Sequence, residues 1–218
     1  NQLYTAVATD IVDFTTGGVT YSLKAATGDV ASLSINSSSG VVTLTSGNLD
    51  YETKSSYSFT VIATDATGNA REQAVTITVT NVNESPTVTS SSSATFAENA
   101  TGTVYTVTGT DPDAGTTLSY SISGTDASLF DINSSTGVIT FKASPNYESP
   151  SDSGGNNVYD ITVTASDGSL TNSKAVTITV TNVDDIAPAF TSATTGTAAE
   201  NQNQLYTAAA NDSVDYTN

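Results

Sequence analysis

Thr179-Val180-Thr181-Asn182-Val183-Asp184-Asp185-Ile186-Ala187-Pro188-Ala189-Phe190 decides how this chain is read. Alternation at its start puts valine on one face of a strand and threonine on the other. An acidic pair then interrupts the pattern. A proline follows, which cannot donate to a ladder and so belongs at the start or edge of a strand. An earlier copy, Thr78-Val79-Thr80-Asn81-Val82-Asn83-Glu84-Ser85-Pro86, places Asn81 101 residues before Asn182. The connector is therefore part of a repeat.

The period extends through the chain, and a repeat has to be recognised before any single element is assigned. Ala63-Thr64-Asp65 returns as Ala165-Ser166-Asp167, and Ala97-Glu98-Asn99 as Ala199-Glu200-Asn201. Ser34-Ile35-Asn36-Ser37-Ser38-Ser39-Gly40-Val41 is matched by Asp131-Ile132-Asn133-Ser134-Ser135-Thr136-Gly137-Val138, and Tyr51-Glu52 by Tyr147-Glu148. Asn1-Gln2-Leu3-Tyr4-Thr5-Ala6 recurs 202 residues later as Asn203-Gln204-Leu205-Tyr206-Thr207-Ala208. A unit of about a hundred residues has the size of a β-sandwich. The expected division is 1–84, a module lacking its first strand; 85–185, a complete module; and 186–218, the first strands of a third. The chain reads as an internal piece of something longer.

Within each unit the signals are all β. Val75–Thr80 and Val176–Thr181 alternate strictly, as do Tyr57–Ile62 and Tyr159–Thr164. Shorter strands are predicted at Val19–Leu23, Val41–Leu44, Val104–Val107, Leu118–Ile122 and Val138–Phe141. The turn clusters Asn36–Gly40 and Asn133–Gly137 separate them, with glycine free to take positive φ. No helical periodicity stands out. Tandem seven-stranded Greek-key β-sandwiches of immunoglobulin-like architecture, joined end to end, follow from six or seven short strands per unit. Ser151-Asp152-Ser153-Gly154-Gly155-Asn156-Asn157 has no counterpart in the first unit and reads as a lengthened surface hairpin loop.

Composition limits what such a chain does. Its 218 residues carry 5 Lys+Arg against 22 Asp+Glu, a net charge of −17. Nucleic acid and anionic membranes are disfavoured as partners, because both need basic residues. Only 12% of residues are charged, so the carboxylates lack interleaved cations within the chain. They either serve solubility or are neutralised by hard cations. With neither His nor Cys, the commonest general base, the thiol nucleophile and the usual zinc and copper ligands are all missing. The paired carboxylates Asp111 and Asp113 could serve a glycosidase, but they sit at a repeat boundary, which favours ligands or surface. The chain reads as a non-enzyme. No membrane-spanning run or signal peptide is visible.

With these motifs assembled, the chain resembles cadherin repeats, and more narrowly the cadherin-like modules of large bacterial surface adhesins. Glu98-Asn99 and Glu200-Asn201 match the family's first-strand Glu-Asn motif. Asp111-Pro112-Asp113 matches its Asp-x-Asp, and Leu49-Asp50-Tyr51-Glu52 its Leu-Asp-x-Glu. Asp65 and Asp167 match its Ala-x-Asp, and Asn182 to Pro188 its acidic linker. The resemblance implies calcium at each junction. For the first it implies Asp50 and Glu52 from the module above, Asn83 and Glu84 from the linker, and Asp111, Asp113 and Asp167 from the module below. For the second it implies Glu98, Glu148, Asp184, Asp185, Asp212 and Asp215. Asp10, Asp13 and Asp65 would face a junction upstream, and Glu200 belongs to the third module's first strand. Calcium suits such a set, since it takes six to eight oxygens in a tolerant geometry.

Several positions depart from the pattern. Asp10-Ile11-Val12-Asp13 and Asp212-Ser213-Val214-Asp215 are one residue longer than Asp-x-Asp, and Asn146-Tyr147-Glu148 replaces Asp-x-Glu. The first linker is one residue short before its proline and has Glu84 in place of Asp. Fewer or more weakly held ions than at the family's standard junction are expected. The resemblance implies a calcium-stiffened extracellular spacer in a cell-surface adhesin. Two alternatives stay open: a filament of like chains joined by strand exchange, and modules that bind a receptor, polysaccharide or one another. The absence of Trp and of an aromatic cluster lowers the sugar-binding reading. Of five Asn-x-Ser/Thr sequons, Asn83 and Asn211 fall within or beside the metal motifs, where a glycan would intrude.

Overall fold

The computed structural model describes residues 2–9, 18–185 and 187–211. It separates into two compact units, Asn1–Asn83 and Glu84–Asn218.

The first unit contains β1 (Gln2–Thr5), β2 (Thr20–Leu23), β3 (Leu33–Ile35), β4 (Val41–Leu44), β5 (Ser56–Thr64) and β6 (Ala70–Thr78). They form two sheets, ordered β1-β4-β3 and β2-β5-β6, with every pairing antiparallel. Tyr57, Phe59 and Val61 alternate inward along β5 and meet Val42 and Leu33 from the other sheet to make the core.

The second unit continues with β7 (Thr87–Val88), β8 (Ser93–Ala97), β9 (Thr103–Thr106), β10 (Gly109–Thr110), β11 (Ser119–Ser123), β12 (Phe130–Ile132), β13 (Val138–Phe141), β14 (Val158–Ser166) and β15 (Thr171–Thr181). Its sheets run β11-β14-β15-β8 and β12-β13-β9, and β7 pairs with β10. The opening segment thus pairs twice, at β7 antiparallel to β10 and at β8 parallel to β15. A short pair, β16 (Ala189–Phe190) and β17 (Ala210–Asn211), completes the described strands.

Aromatic packing fixes the second core. Tyr159 is fully buried and meets Phe141 edge-on at 5.1 Å between ring centres and Phe130 at 5.9 Å. Ile139, Val163 and Ile178 are also sealed from solvent. Each such side chain contributes about 1.5–3 kcal/mol by leaving water.

The recurring Asn-Ser-Ser-x-Gly turn has a local cause. Asn36 Oδ1 accepts the amides of Ser38 and Ser39, and Asn133 Oδ1 those of Ser135 and Thr136. Gly137 closes its turn at φ +71°, where a Cβ would lie 2.2 Å from the Val107 carbonyl oxygen. Only glycine fits there.

Two features were not expected. Single 3-10 turns at Val30–Ser32 and Ala127–Leu129 lead into β3 and β12. The Ser151–Asn157 loop also folds inward, burying Asp152 and Asn157. No helix among the described residues is long and apolar enough to cross a membrane.

Candidate metal centre

The entry end of the second unit carries Glu84, Asp111 and Asp113. The Asp111-Pro112-Asp113 turn follows β10, and Asp113 donates its amide to Asp111 Oδ1 at 2.9 Å. Glu84 donates its own amide to Asp113 Oδ2 at 3.1 Å. Carboxylate oxygens of Glu84 and Asp113 lie within 4.8 Å of each other. At that separation, in an effective dielectric near 20, their repulsion is of order 3 kcal/mol. Asp111 Oδ2 is shielded from solvent and meets no hydrogen-bond donor among the described residues. A buried, unsatisfied carboxylate oxygen is costly without a cation. An all-oxygen donor set of this kind fits calcium.

Asp167 lies at the turn after β14. Its Oδ1 accepts the amides of Ser169 and Leu170, each at 2.6 Å. Asp65 does the same in the first unit: Oδ1 takes the amides of Thr67 and Asn69, and Oδ2 takes Asn69 Nδ2 at 2.9 Å. The Asn69 and Thr67 donors hold the Asp65 carboxyl down at about 2. These two positions shape hairpin turns whatever else they do.

Asp50 also has a local duty. Its carboxylate accepts the Thr53 amide at 2.9 Å and the Thr53 hydroxyl at 3.0 Å, which holds its pKa below the ordinary value. Glu52 is exposed on the same turn. In the second unit Asn146 replaces Asp50, and its Oδ1 accepts the Ser149 amide at 2.7 Å. The amide oxygen therefore preserves the turn while removing a charge.

The exit end of the second unit is built differently. Glu98 follows β8 and is only 2% exposed, yet both its oxygens are engaged. Oε2 accepts the Tyr147 amide at 2.7 Å and Oε1 the Val183 amide at 2.8 Å. Asn99 donates its side-chain amide to Asp185. Glu148 is half-buried and Asp184 exposed, and no three carboxylates at this end converge within 4.8 Å among the described residues. Asn83 and Glu200 are exposed, while Asp10, Asp13, Asp212 and Asp215 lie outside the described residues.

Sequence reasoning assigned no site role to Asn99, Asp126 or Asn157. Asn99 has φ +58°, and its repeat counterpart Asn201 has φ +66°. Asparagine tolerates that left-handed conformation better than other non-glycine residues. The signal was in the repeated Glu-Asn pair, of which only the acid was assigned to metal.

A protein-family model described as Cadherin domain matches residues 2–80 and again 92–181. Human Protocadherin Fat 4 is 34% identical over 185 residues, covering 80% of this chain. The Drosophila melanogaster protocadherin-like wing polarity protein stan is 33% identical over 168 residues, covering 70%. The chain spans 4% of the length of either relative. Among solved structures, mouse cadherin-23 EC22-24 is similar at TM-score 0.55 and 28% identity, covering 76% of this chain and 53% of that one. A protocadherin gammaB7 EC3-6 cis-dimer structure matches at TM-score 0.55 and 25% identity, covering 81% and 45%. The two family matches, the all-β sandwiches and the identity to protocadherins place this chain in the cadherin family.

Proposed function

We propose that this chain is a calcium-rigidified rod, an extracellular spacer segment of a cell-surface adhesin that supports adhesion. The observation that carries the reading is the Asp111 Oδ2 atom, shielded from solvent without a donor, in the same turn as Asp113, whose carboxylate lies within 4.8 Å of that of Glu84. Bound calcium would supply the positive charge that offsets the repulsion among these acids. The chain's own residues do the rest: the Asp113 amide orients Asp111, and the Glu84 amide ties the linker to Asp113. The proposal carries the module division 1–84, 85–185 and 186–218, and with it the ligand sets read from the sequence for both junctions. It also carries the bacterial surface assignment, which rests on the motif resemblance; the relatives named above are animal proteins. The verbatim return of Asn1–Ala6 at Asn203–Ala208 supports a long repeat array.

Small-angle scattering of the chain with EGTA and with millimolar calcium, paired with calorimetric titration, tests the reading. Saturable heat together with a longer, stiffer particle is expected. No heat and an unchanged scattering curve would refute it.

A second reading, a filament joined by strand exchange, draws on β6. The matching edge of β15 is covered by β8, whereas β6 pairs only with β5 among the described residues. Light scattering that stays monomeric at high concentration would exclude it.

A further inference from the structure

We infer that the Ser151–Asn157 insertion is a buttress that presets the exit end of the second module for metal, with Asn157 as its positioning residue. The inference rests on the calcium reading above and turns on an insertion that lies outside the family motifs matched above.

The insertion is fastened at its base. Asp126, 4% exposed, accepts the Ser153 amide through Oδ1 at 2.8 Å and the Asp160 amide through Oδ2 at 2.7 Å. In the first unit, which lacks the insertion, the equivalent Asp29 accepts the Ser58 amide through Oδ2, and its Oδ1 pairs with Lys54 Nζ at 2.8 Å. Backbone from the insertion has taken the place of a lysine. Asp152, itself buried, then accepts the Asn156 and Asn157 amides at 3.1 and 3.0 Å and so closes the loop. Two buried carboxylates holding four amides make this a shaped element, unlike an open surface loop.

What the loop delivers is Asn157. It is buried and sits at φ +62°. Its carbonyl accepts the Val180 amide at 2.9 Å, and its Nδ2 donates to the Tyr147 carbonyl at 2.9 Å. That carbonyl belongs to the peptide leading into Glu148. The Tyr147 amide, on the other side of the residue, is held by Glu98, whose second oxygen holds Val183 at the root of the linker. A continuous chain of hydrogen bonds thus runs from Asp152 through Asn157, Tyr147 and Glu98 to Val183. Partners one shell out from a metal orient its ligands and govern affinity. The insertion would act on Glu148, and on Asp184 through Val183, without touching the ion.

The test uses the whole 218-residue chain carrying Asn157→Gly, which tolerates the left-handed backbone and removes the amide, and separately Asn157→Asp, which keeps the shape but sets an acceptor against the Tyr147 carbonyl. Hydrogen exchange in EGTA is read at Tyr147 and Val183, with Val163 in β14 reporting the core. Calcium is then titrated by calorimetry in an Asp111→Asn background, which isolates the exit end. Both variants are expected to speed exchange at Tyr147 and Val183 about tenfold with Val163 unmoved, and to weaken calcium at this end about tenfold. Unchanged exchange and unchanged affinity in both variants would overturn the buttress and leave the calcium reading standing. If the parent takes up no calcium at all, the calcium reading fails on its own, and the metal half of this inference falls with it. If Asn157→Gly unprotects Val163 as well, Asn157→Asp decides; the same core-wide loss in that variant would overturn a local positioning role.

Discussion

Glu98→Gln separates a residue that only binds metal from one that also fastens the fold. A carboxylate that merely awaits a cation would stabilise the metal-free protein when neutralised, because like-charge repulsion falls. Glu98 predicts the opposite sign. Each of its oxygens accepts a backbone amide, from Tyr147 and Val183, at 2.7 and 2.8 Å in a site 2% exposed. Glutamine keeps one acceptor and turns an NH2 group toward the other amide, so two donors face each other. Losing one hydrogen bond to a charged group costs about 1.5–3 kcal/mol, and weakening the other costs roughly 1 more. The relief of no longer burying a charge offsets part of this. A net loss of about 2–3 kcal/mol remains, which for a module of this size lowers Tm by roughly 10–20 °C. Thermal unfolding in EGTA, followed by hydrogen exchange in peptides 158–181 with peptides 56–78 as internal control, reads the effect in the second unit alone. A shift under about 3 °C, or a rise, would refute the argument and leave Glu98 as a ligand only.

Asp111→Asn carries the reverse expectation. Its Oδ1 contact to the Asp113 amide survives, while the new NH2 can donate to neighbouring acids, so metal-free stability stays level or rises by about 0.5–1 kcal/mol as calcium heat from the entry end disappears; a clear loss of stability in EGTA would contradict the site as described. Asp65 is held at about 2 in the folded chain, first by the Asn69 side chain and then by Thr67. A depressed folded pKa contributes stability that is complete above the ordinary carboxylate value near 3.8 and lost as pH falls toward about 2. Carbon NMR at pH 3 should therefore find Asp65 ionised, and Asn69→Ala should move its midpoint up; a native midpoint near 3.8 would overturn the assignment.

The long strands were legible because period-two alternation is a direct consequence of pleating, and β5, β6, β14 and β15 all show it. Pattern did not determine burial. Val75-Thr76-Ile77 and Val176-Thr177-Ile178 are nearly the same sequence, yet Val176 and Ile178 are sealed while Val75 and Ile77 are half-exposed. The difference is β8, which lies along β15 and has no counterpart beside β6 among the described residues. β3 and β12 went unseen because three residues are too few to show a period. At the candidate site, the positions of the acids were legible but their duties were not. Asp50 and Asp65 read as ligands, and the structure adds turn-making roles set by hydroxyls and amides two to four residues away. Asp126 attracted no attention because a single Asp before Ala-Ser looks like any loop residue. Its importance comes from Ser153 and Asp160, far along the chain.

The two ends of the second unit then make different demands on a cation. At the entry end the Glu84 and Asp113 carboxylates are pressed together and one Asp111 oxygen is left without a donor, so the favourable change on binding is electrostatic and should weaken as salt screens the site. At the exit end Glu98 is already satisfied by amides, and Val183 is tied down before any metal arrives. Ordering the root of that linker therefore costs little additional entropy when an ion binds. If both ends take calcium, the exit end has the preorganised geometry and the entry end the stronger charge. Calcium affinity at the exit end should accordingly depend less on ionic strength, and more on the Glu98–Tyr147–Asn157 chain of hydrogen bonds, than affinity at Glu84, Asp111 and Asp113.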